Sequence, residues 1–194
     1  TNQLYENLGL FMSSKMLSRI LFFHHLYQQI LSVPGVVLEA GTRWGNTLGI
    51  LSALRGRFEP YNRHRKILGF DTFSGFPEVH EKDGTSDLIQ SGFAATSAGY
   101  EKELEETLLL LEQQEPLSHL DKFELIKGDI TQTLPHYFND HPETIIAFAY
   151  LDLDLYEPTK KTLELILPRM PKGAIIGFDE LNDPDCPGET LAVE

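Results

Sequence analysis

At 194 residues the chain is long enough for one domain with a full hydrophobic core. Its 41% apolar and 23% charged residues are those of an ordinary globular protein, while a net charge of -13 argues against binding a nucleic-acid polymer, which needs a basic footprint. The single cysteine, Cys186, cannot form an intrachain disulfide and points to a reducing, cytoplasmic setting.

Residues 3–32 read as helical, with apolar side chains spaced at three and four and breaks at Gly9 and Ser13–Ser14. The run "RILFFHHLYQQIL" is too short and too interrupted by His and Gln to span a bilayer, and no signal peptide is visible. Thr1 in first position leads us to expect a trimmed start. "VVLEAG" is a first strand ending in an acid and a glycine, and "TRWGNTLGILSALRG" a helix. "RKILGFDTFSGFP" supplies the second strand, followed by a small-residue loop around 83–99 and the charged helix "YEKELEETLLLLEQQ". "KFELIKGDI" is a third strand, "TIIAFAYLDLD" a fourth, "PTKKTLELILPRM" a helix and "GAIIGFDEL" a fifth strand. Strands alternating with helices predict an α/β fold, a mostly parallel sheet with helices on both faces. Residues 1–34 form a helical extension and 35–194 the sheet domain. "NDPDCPGETLAVE" begins a further helix and stops, so one or two more strands are expected beyond residue 194.

In such sheets ligands sit beyond the carboxyl ends of the strands. Glu39, Asp71, Asp129, Asp152 and Asp179 all fall there. Each alone fits a helix N-cap or a solvated loop; five together point to a site. If the fourth strand stays extended through Asp154, Asp152 and Asp154 share one face, as a surface edge, a metal site or an acid/base pair.

"LEAGTRWGNTLGIL" departs from the G-x-G-x-x-G dinucleotide fingerprint, because Arg43 and Asn46 stand where glycines are required. Arginine removes the room a pyrophosphate needs, which disfavours NAD and FAD. What remains is acid-x-Gly-x-x-x-Gly, in which Glu39 suits a cationic or amino-bearing ligand. Asp71 stands where acids accept from ribose hydroxyls, and Asp129 could meet an adenine amino group. S-adenosylmethionine carries all three features.

The segments "LEAGTRWGNT", "GFDTFSGFPE", "KGDITQTLP", "LDLDLYEPTKKTLE" and "GAIIGFDELNDPDCPGETLAVE" resemble the class I S-adenosylmethionine-dependent methyltransferases. More narrowly, they resemble the macrocin and mycinamicin sugar O-methyltransferases of macrolide biosynthesis. "FDTFSGFP" and "LDLDLYEPT" are the specific ones. The resemblance implies a Rossmann-like sheet and a small-molecule sugar or glycosylated acceptor. Cofactor residues would be Glu39, Gly41, Thr42, Arg43, Asn46, Asp71 and Thr72 for the methionine and ribose parts, with Asp129 and Ile130 at the adenine. Magnesium would be held by Asp152, Asp179 and Glu180. The family's usual strand-five pair is two aspartates, so Glu180 is a departure and Asp154 a substitute ligand. Asp152 would also be the catalytic base, and Tyr156 would touch substrate or cover the metal. Magnesium takes carboxylates and waters and polarises a hydroxyl oxygen. A catechol-type acceptor fits the same metal logic. An oxidoreductase or epimerase, and a non-catalytic interaction module on the same sheet, are the rival readings.

Weaker signals remain. "LRGRFEPYNRHRK" gathers basic side chains that would suit a nucleotide-diphosphate sugar or a solvated helix end. "DGTSDLIQSGFAATSAGY" reads as a lid or a loose excursion. His24, His25 and His136 read as packing or helix-surface residues. The apolar face of the N-terminal helix suits either a cover over the substrate side or a homo-oligomer contact.

Overall fold

The computed structural model describes residues 6–87 and 89–194, so positions 3–5 of the expected first helix lie outside the described residues. Five strands, β1 (Val36–Ala40), β2 (Ile67–Asp71), β3 (Phe123–Lys127), β4 (Ile146–Leu151) and β5 (Ile175–Phe178), form one parallel sheet in the order β3-β2-β1-β4-β5. β1, β2 and β4 are apolar because helices cover both faces. Among the described residues six α-helices accompany them: α1 (Ser14–Gln29), α2 (Asn46–Phe58), α3 (Tyr100–Glu112), α4 (Ile130–Asp140), α5 (Tyr156–Ile166) and α6 (Pro187–Val193).

Alternation along the strands divides the core. Val37, Phe148 and Tyr150 join Phe23, Tyr27, Leu48, Leu51, Leu104 and Leu108 of α1, α2 and α3 on one face. Leu38, Ala40, Ala149 and Leu151 join Leu134, Phe138, Leu163 and Ile166 of α4 and α5 on the other. Glu39 and Asp152, two residues from Val37 and Tyr150, therefore belong to the α1/α2 side. Chain order reverses between β1 and β4, opening a crevice at their carboxyl ends.

The expected break at Ser13–Ser14 is real: a 3-10 turn spans Leu8–Phe11, and Ser13 caps α1 by accepting the Met16 N–H at 3.2 Å. α4 was absent from the expected elements, although a helix-surface role was open to His136 within it. Pro135 lies inside the helix, which forgoes the bond to the Thr131 carbonyl there, and Asp129 caps the start by accepting the Thr131 N–H at 2.9 Å. β4 also stops at Leu151, short of the extension expected through Asp154; Asp154 turns out at φ 60.

The basic segment 54–66 lies at the amino ends of β1 and β2, opposite the crevice. Arg55 and Arg65 are buried in a structural knot. Arg65 donates to the carbonyls of Ile30, Val33 and Gly35 and pairs with Glu59 at 2.8 Å; Glu59 also accepts from Tyr27 and Asn62, each at 2.8 Å. Burial alone would push the Glu59 carboxyl up; hydrogen bonds from Arg65, Tyr27 and Asn62 outweigh it and hold it below its ordinary value. A carboxyl depressed by folding contributes stability that is present above its unfolded pKa and lost as pH falls through the folded one. Glu59→Gln is therefore expected to lower the urea midpoint at pH 7 and to flatten its decline on the acid side of about 4.3. An unaltered acid limb would contradict this role for the knot.

Candidate active site

The crevice is a cavity of 480 Å³ walled by the β1–α2 loop, the ends of β2, β4 and β5, the start of α4 and the segment after β2. Asp152 and Asp179 are set by a ladder extended one residue: Asp152 N–H donates to Ala40 O at 2.8 Å and Asp179 N–H to Leu151 O at 3.1 Å. Glu39, Gly41, Thr42, Arg43, Asn46, Asp71, Thr72, Asp129 and Ile130 all line the cavity. Tyr156 does not.

Glu39 is 1% exposed, with Thr42 Oγ1 donating to it at 3.2 Å. Burial, then the charge of Asp152, pushes its carboxyl well up. A buried acid with so little compensation fits a cationic ligand group. Asp71 organises the glycine loop as well as facing the cavity: Oδ2 accepts Arg43 N–H at 2.7 Å and Oδ1 accepts Phe73 N–H at 2.5 Å. That bond holds Arg43 at φ 48, an uncommon conformation for a non-glycine residue. Asp129 spends one oxygen on its helix cap, and Thr72 donates to Gly75 O at 2.7 Å within a turn.

Asp152, Asp154 and Glu180 each bring one oxygen within 4.8 Å of the other two. Glu180 Oε2 is buried without a hydrogen-bond partner. Burial and the neighbouring Asp179 and Asp154 push Asp152 up to about 8; burial and Asp154 push Glu180 up to about 10. Three converging oxygens and an orphaned acceptor fit a divalent cation. Asp179 lies beside this triad in the same cavity: it shares a hydrogen bond with Glu180 and accepts the Tyr150 hydroxyl and, at 3.4 Å, the Arg19 guanidinium. The carboxylates converge because of the turn at Asp154, whereas the expectation placed them on one strand face.

Three residues went unrecognised in the sequence. Arg19 of α1 reaches Asp152 at 3.6 Å, Asp179 at 3.4 Å and Thr47 Oγ1 at 2.9 Å, a fixed positive charge beside the acids. Its only signal is a lone arginine on an apolar helix. Glu189 of α6, fully buried, accepts Leu153 N–H at 3.0 Å and Glu180 N–H at 3.2 Å, joining the two acid-bearing turns. Asp83, 1% exposed, accepts Tyr156 N–H and His80 N–H, each at 2.6 Å. Neither acid carries a motif.

Asp83 fastens the segment after β2, whose Phe76, Pro77, Ile89, Phe93 and Ala94 form one cavity wall. Asp83→Ala leaves the buried Tyr156 N–H unpaired, a loss of about 1–3 kcal/mol, and frees the half-buried His80 N–H. Limited proteolysis is expected to cut the variant within residues 77–95 faster than the parent; equal cleavage would show that the segment is held by other contacts. Tyr156 is buried against His80 and His136 is exposed on α4, both away from the cavity walls.

A family model described as a methyltransferase domain matches residues 38–181. Among solved structures, the calicheamicin methyltransferase CalS11 superimposes with a TM-score of 0.97 at 44% identity, over 99% of this chain and 75% of that one. A second, apo structure of CalS11, described as a TDP-rhamnose 3'-O-methyltransferase, matches at 0.86 and 41% with the same coverage. The chain is also 27% identical over 155 residues to the 8-demethyl-8-(2,3-dimethoxy-alpha-L-rhamnosyl)-tetracenomycin-C 4'-O-methyltransferase of Streptomyces olivaceus, covering 76% of this chain and 53% of that protein. It thus spans about half the length of the curated relatives it matches. The matched segment contains the glycine loop and four of the five strands whole, so the chain belongs to the methyltransferase domain family.

Proposed function

We propose that the protein is an S-adenosylmethionine-dependent, magnesium-assisted O-methyltransferase acting on a sugar hydroxyl in natural-product biosynthesis. The observation that carries this reading is the pairing, in one cavity, of the Glu39–Asp71–Asp129 wall with the Asp152–Asp154–Glu180 cluster. The relatives methylate sugars by their names. S-adenosylmethionine would supply an electrophilic methyl group on sulfur. Glu39 would face its positive portion, Asp71 the ribose hydroxyls, and Asp129 and Ile130 the adenine. Magnesium, held by Asp152, Asp154 and Glu180, would supply Lewis-acid polarisation of the acceptor oxygen.

Asp152 is our candidate base. It lines the cavity beside Asp154 and Glu180, where a polarised acceptor hydroxyl would give up its proton. Arg19 holds it from the α1 side, and Glu189 fixes the turn that follows it. Asp179 stands behind the cluster, anchored by Tyr150 and Arg19. Among the described residues no helix is long and apolar enough to cross a membrane. A cytoplasmic setting is part of the proposal and agrees with the buried free Cys186. Residues 1–34 would serve as a helical extension to the 35–194 methyltransferase domain, and α1, with Leu17 and Leu21 exposed, would serve a homo-oligomer contact.

The test is methyl transfer from labelled S-adenosylmethionine to deoxysugar acceptors, nucleotide-linked and aglycone-linked, with magnesium and with EDTA. Transfer that EDTA removes and magnesium restores is the expected result. Cofactor binding without transfer to any acceptor would favour a non-catalytic module.

A further inference from the structure

Outside the cavity, two ammonium groups converge on one ring. Lys82, in the 3-10 turn Glu81–Asp83, places Nζ 4.0 Å from the centroid of the Tyr156 ring. Lys160, one turn into α5, places Nζ 3.3 Å from the Tyr156 hydroxyl and 5.5 Å from the same centroid. His80 lies against the ring at 5.3 Å, and its Nδ1 accepts the Lys82 N–H at 3.1 Å, which fixes the backbone under that lysine. Among the described residues neither ammonium has a carboxylate within 4.0 Å, in a chain with 29 acidic residues against 16 basic ones. Glu157 and Glu164 act on Lys160 from farther away, and Glu157 is itself paired with Lys161 at 4.0 Å.

The face of the ring offsets part of the repulsion between the lysines, but it leaves their charge unneutralised. The position is as telling as the charge. Leu155 and Pro158, on either side of Tyr156, are cavity walls, as are Phe76 and Pro77 of the segment that carries Lys82. Asp83 binds that segment to the first residue of α5, so the two lysines are held together by the fold. Tyr156 and Lys160 lie in α5, which directly follows the turn carrying Asp152 and Asp154, and Lys82 lies in the segment that Asp83 ties to it.

We infer that Lys82, Lys160 and the Tyr156 hydroxyl form an anion site that takes the phosphate groups of a nucleoside-diphosphate-linked sugar while its hydroxyl reaches the carboxylates inside. Compact ammonium groups suit phosphate oxygens as point charges, and the phenol adds a directed donor. This inference rests on the sugar-acceptor reading above and selects between its nucleotide-linked and aglycone-linked forms. It also reassigns Tyr156 from the cavity to its rim.

The test is calorimetric titration of the full chain with thymidine diphosphate, inorganic phosphate and thymidine, in the parent, K82A, K160A and the double variant. S-adenosylhomocysteine titrated in parallel reports on fold and cofactor site separately. Thymidine diphosphate is expected to bind in a salt-sensitive manner, with affinity reduced about tenfold or more in the double variant and S-adenosylhomocysteine binding unchanged. Equal diphosphate affinity in parent and double variant would overturn the site while leaving the methyltransferase reading intact. Inorganic phosphate competing as well as the nucleotide would overturn the nucleotide-linked acceptor. Loss of S-adenosylhomocysteine binding in the parent would instead strike at the methyltransferase reading itself.

Discussion

Asp152→Asn is expected to lower methyl transfer by about 10²–10⁴-fold and to raise the melting temperature of the metal-free protein by a few degrees. The first effect follows from its place: one oxygen in the three-carboxylate cluster, at the end of the strand beside the switch point. The second follows from its surroundings. Burial, then Asp179 and Asp154, raise the carboxyl to about 8. An acid raised by folding binds more protons in the native than in the unfolded state, so stability falls as pH rises from about 4 towards that value. Removing the charge removes that loss. Magnesium should do the same for the parent and should do little for the variant. A variant less stable than the parent without metal at pH 8 would contradict the electrostatic account of the cluster. Unchanged turnover would remove Asp152 from the chemistry.

Gly41→Ala is expected to cost about 3 kcal/mol or more, the largest stability loss predicted for the glycine loop. Gly41 sits at φ 94, and a Cβ there would lie 1.8 Å from the carbonyl oxygen of Asp152 and 2.7 Å from its carbonyl carbon. The neighbour is backbone at the end of β4 and cannot rotate away. The added methyl would separate β1 from β4 where the cofactor wall and the carboxylate cluster meet, so S-adenosylmethionine binding should fall with stability. At about 2–4 °C per kcal/mol for a chain of this size, a drop near 10 °C is expected in thermal unfolding. A drop below about 2 °C would mean that the loop can be rebuilt without this glycine.

Much of this was legible in the sequence, and what was not had physical reasons. The strands announced themselves because parallel strands covered on both sides are continuous apolar runs, as in "IAFAYL". Acids at their ends located the cavity, since the carboxyl edge of such a sheet is where side chains leave the core. Arg43 was read as closing the loop to a pyrophosphate, and nothing in the sequence indicated that its backbone N–H would be tied to Asp71. The geometry of Asp154 was misjudged because period-2 alternation assumes an extended chain, and here the chain enters the left-handed region. α4 was not expected, and Pro135 within it carries a local signal that opposes the amphipathic pattern around it. Arg19, Asp83 and Glu189 were invisible for a different reason: each acts on residues distant in sequence, and only the folded chain brings them together. The basic run at 54–66 was read as a sugar-nucleotide dock or a solvated helix end, and for the same reason the sequence did not show that Arg55 and Arg65, near its two ends, are buried.

The central claim is that the cavity at the carboxyl ends of β1, β2 and β4 is an S-adenosylmethionine site. Calorimetric titration of the purified chain with S-adenosylmethionine, with NAD as the comparison ligand, tests it most directly. The account predicts saturable binding of S-adenosylmethionine that Asp71→Ala removes, with no uptake of NAD. A folded chain that ignores S-adenosylmethionine, or that takes up NAD in its place, would contradict it.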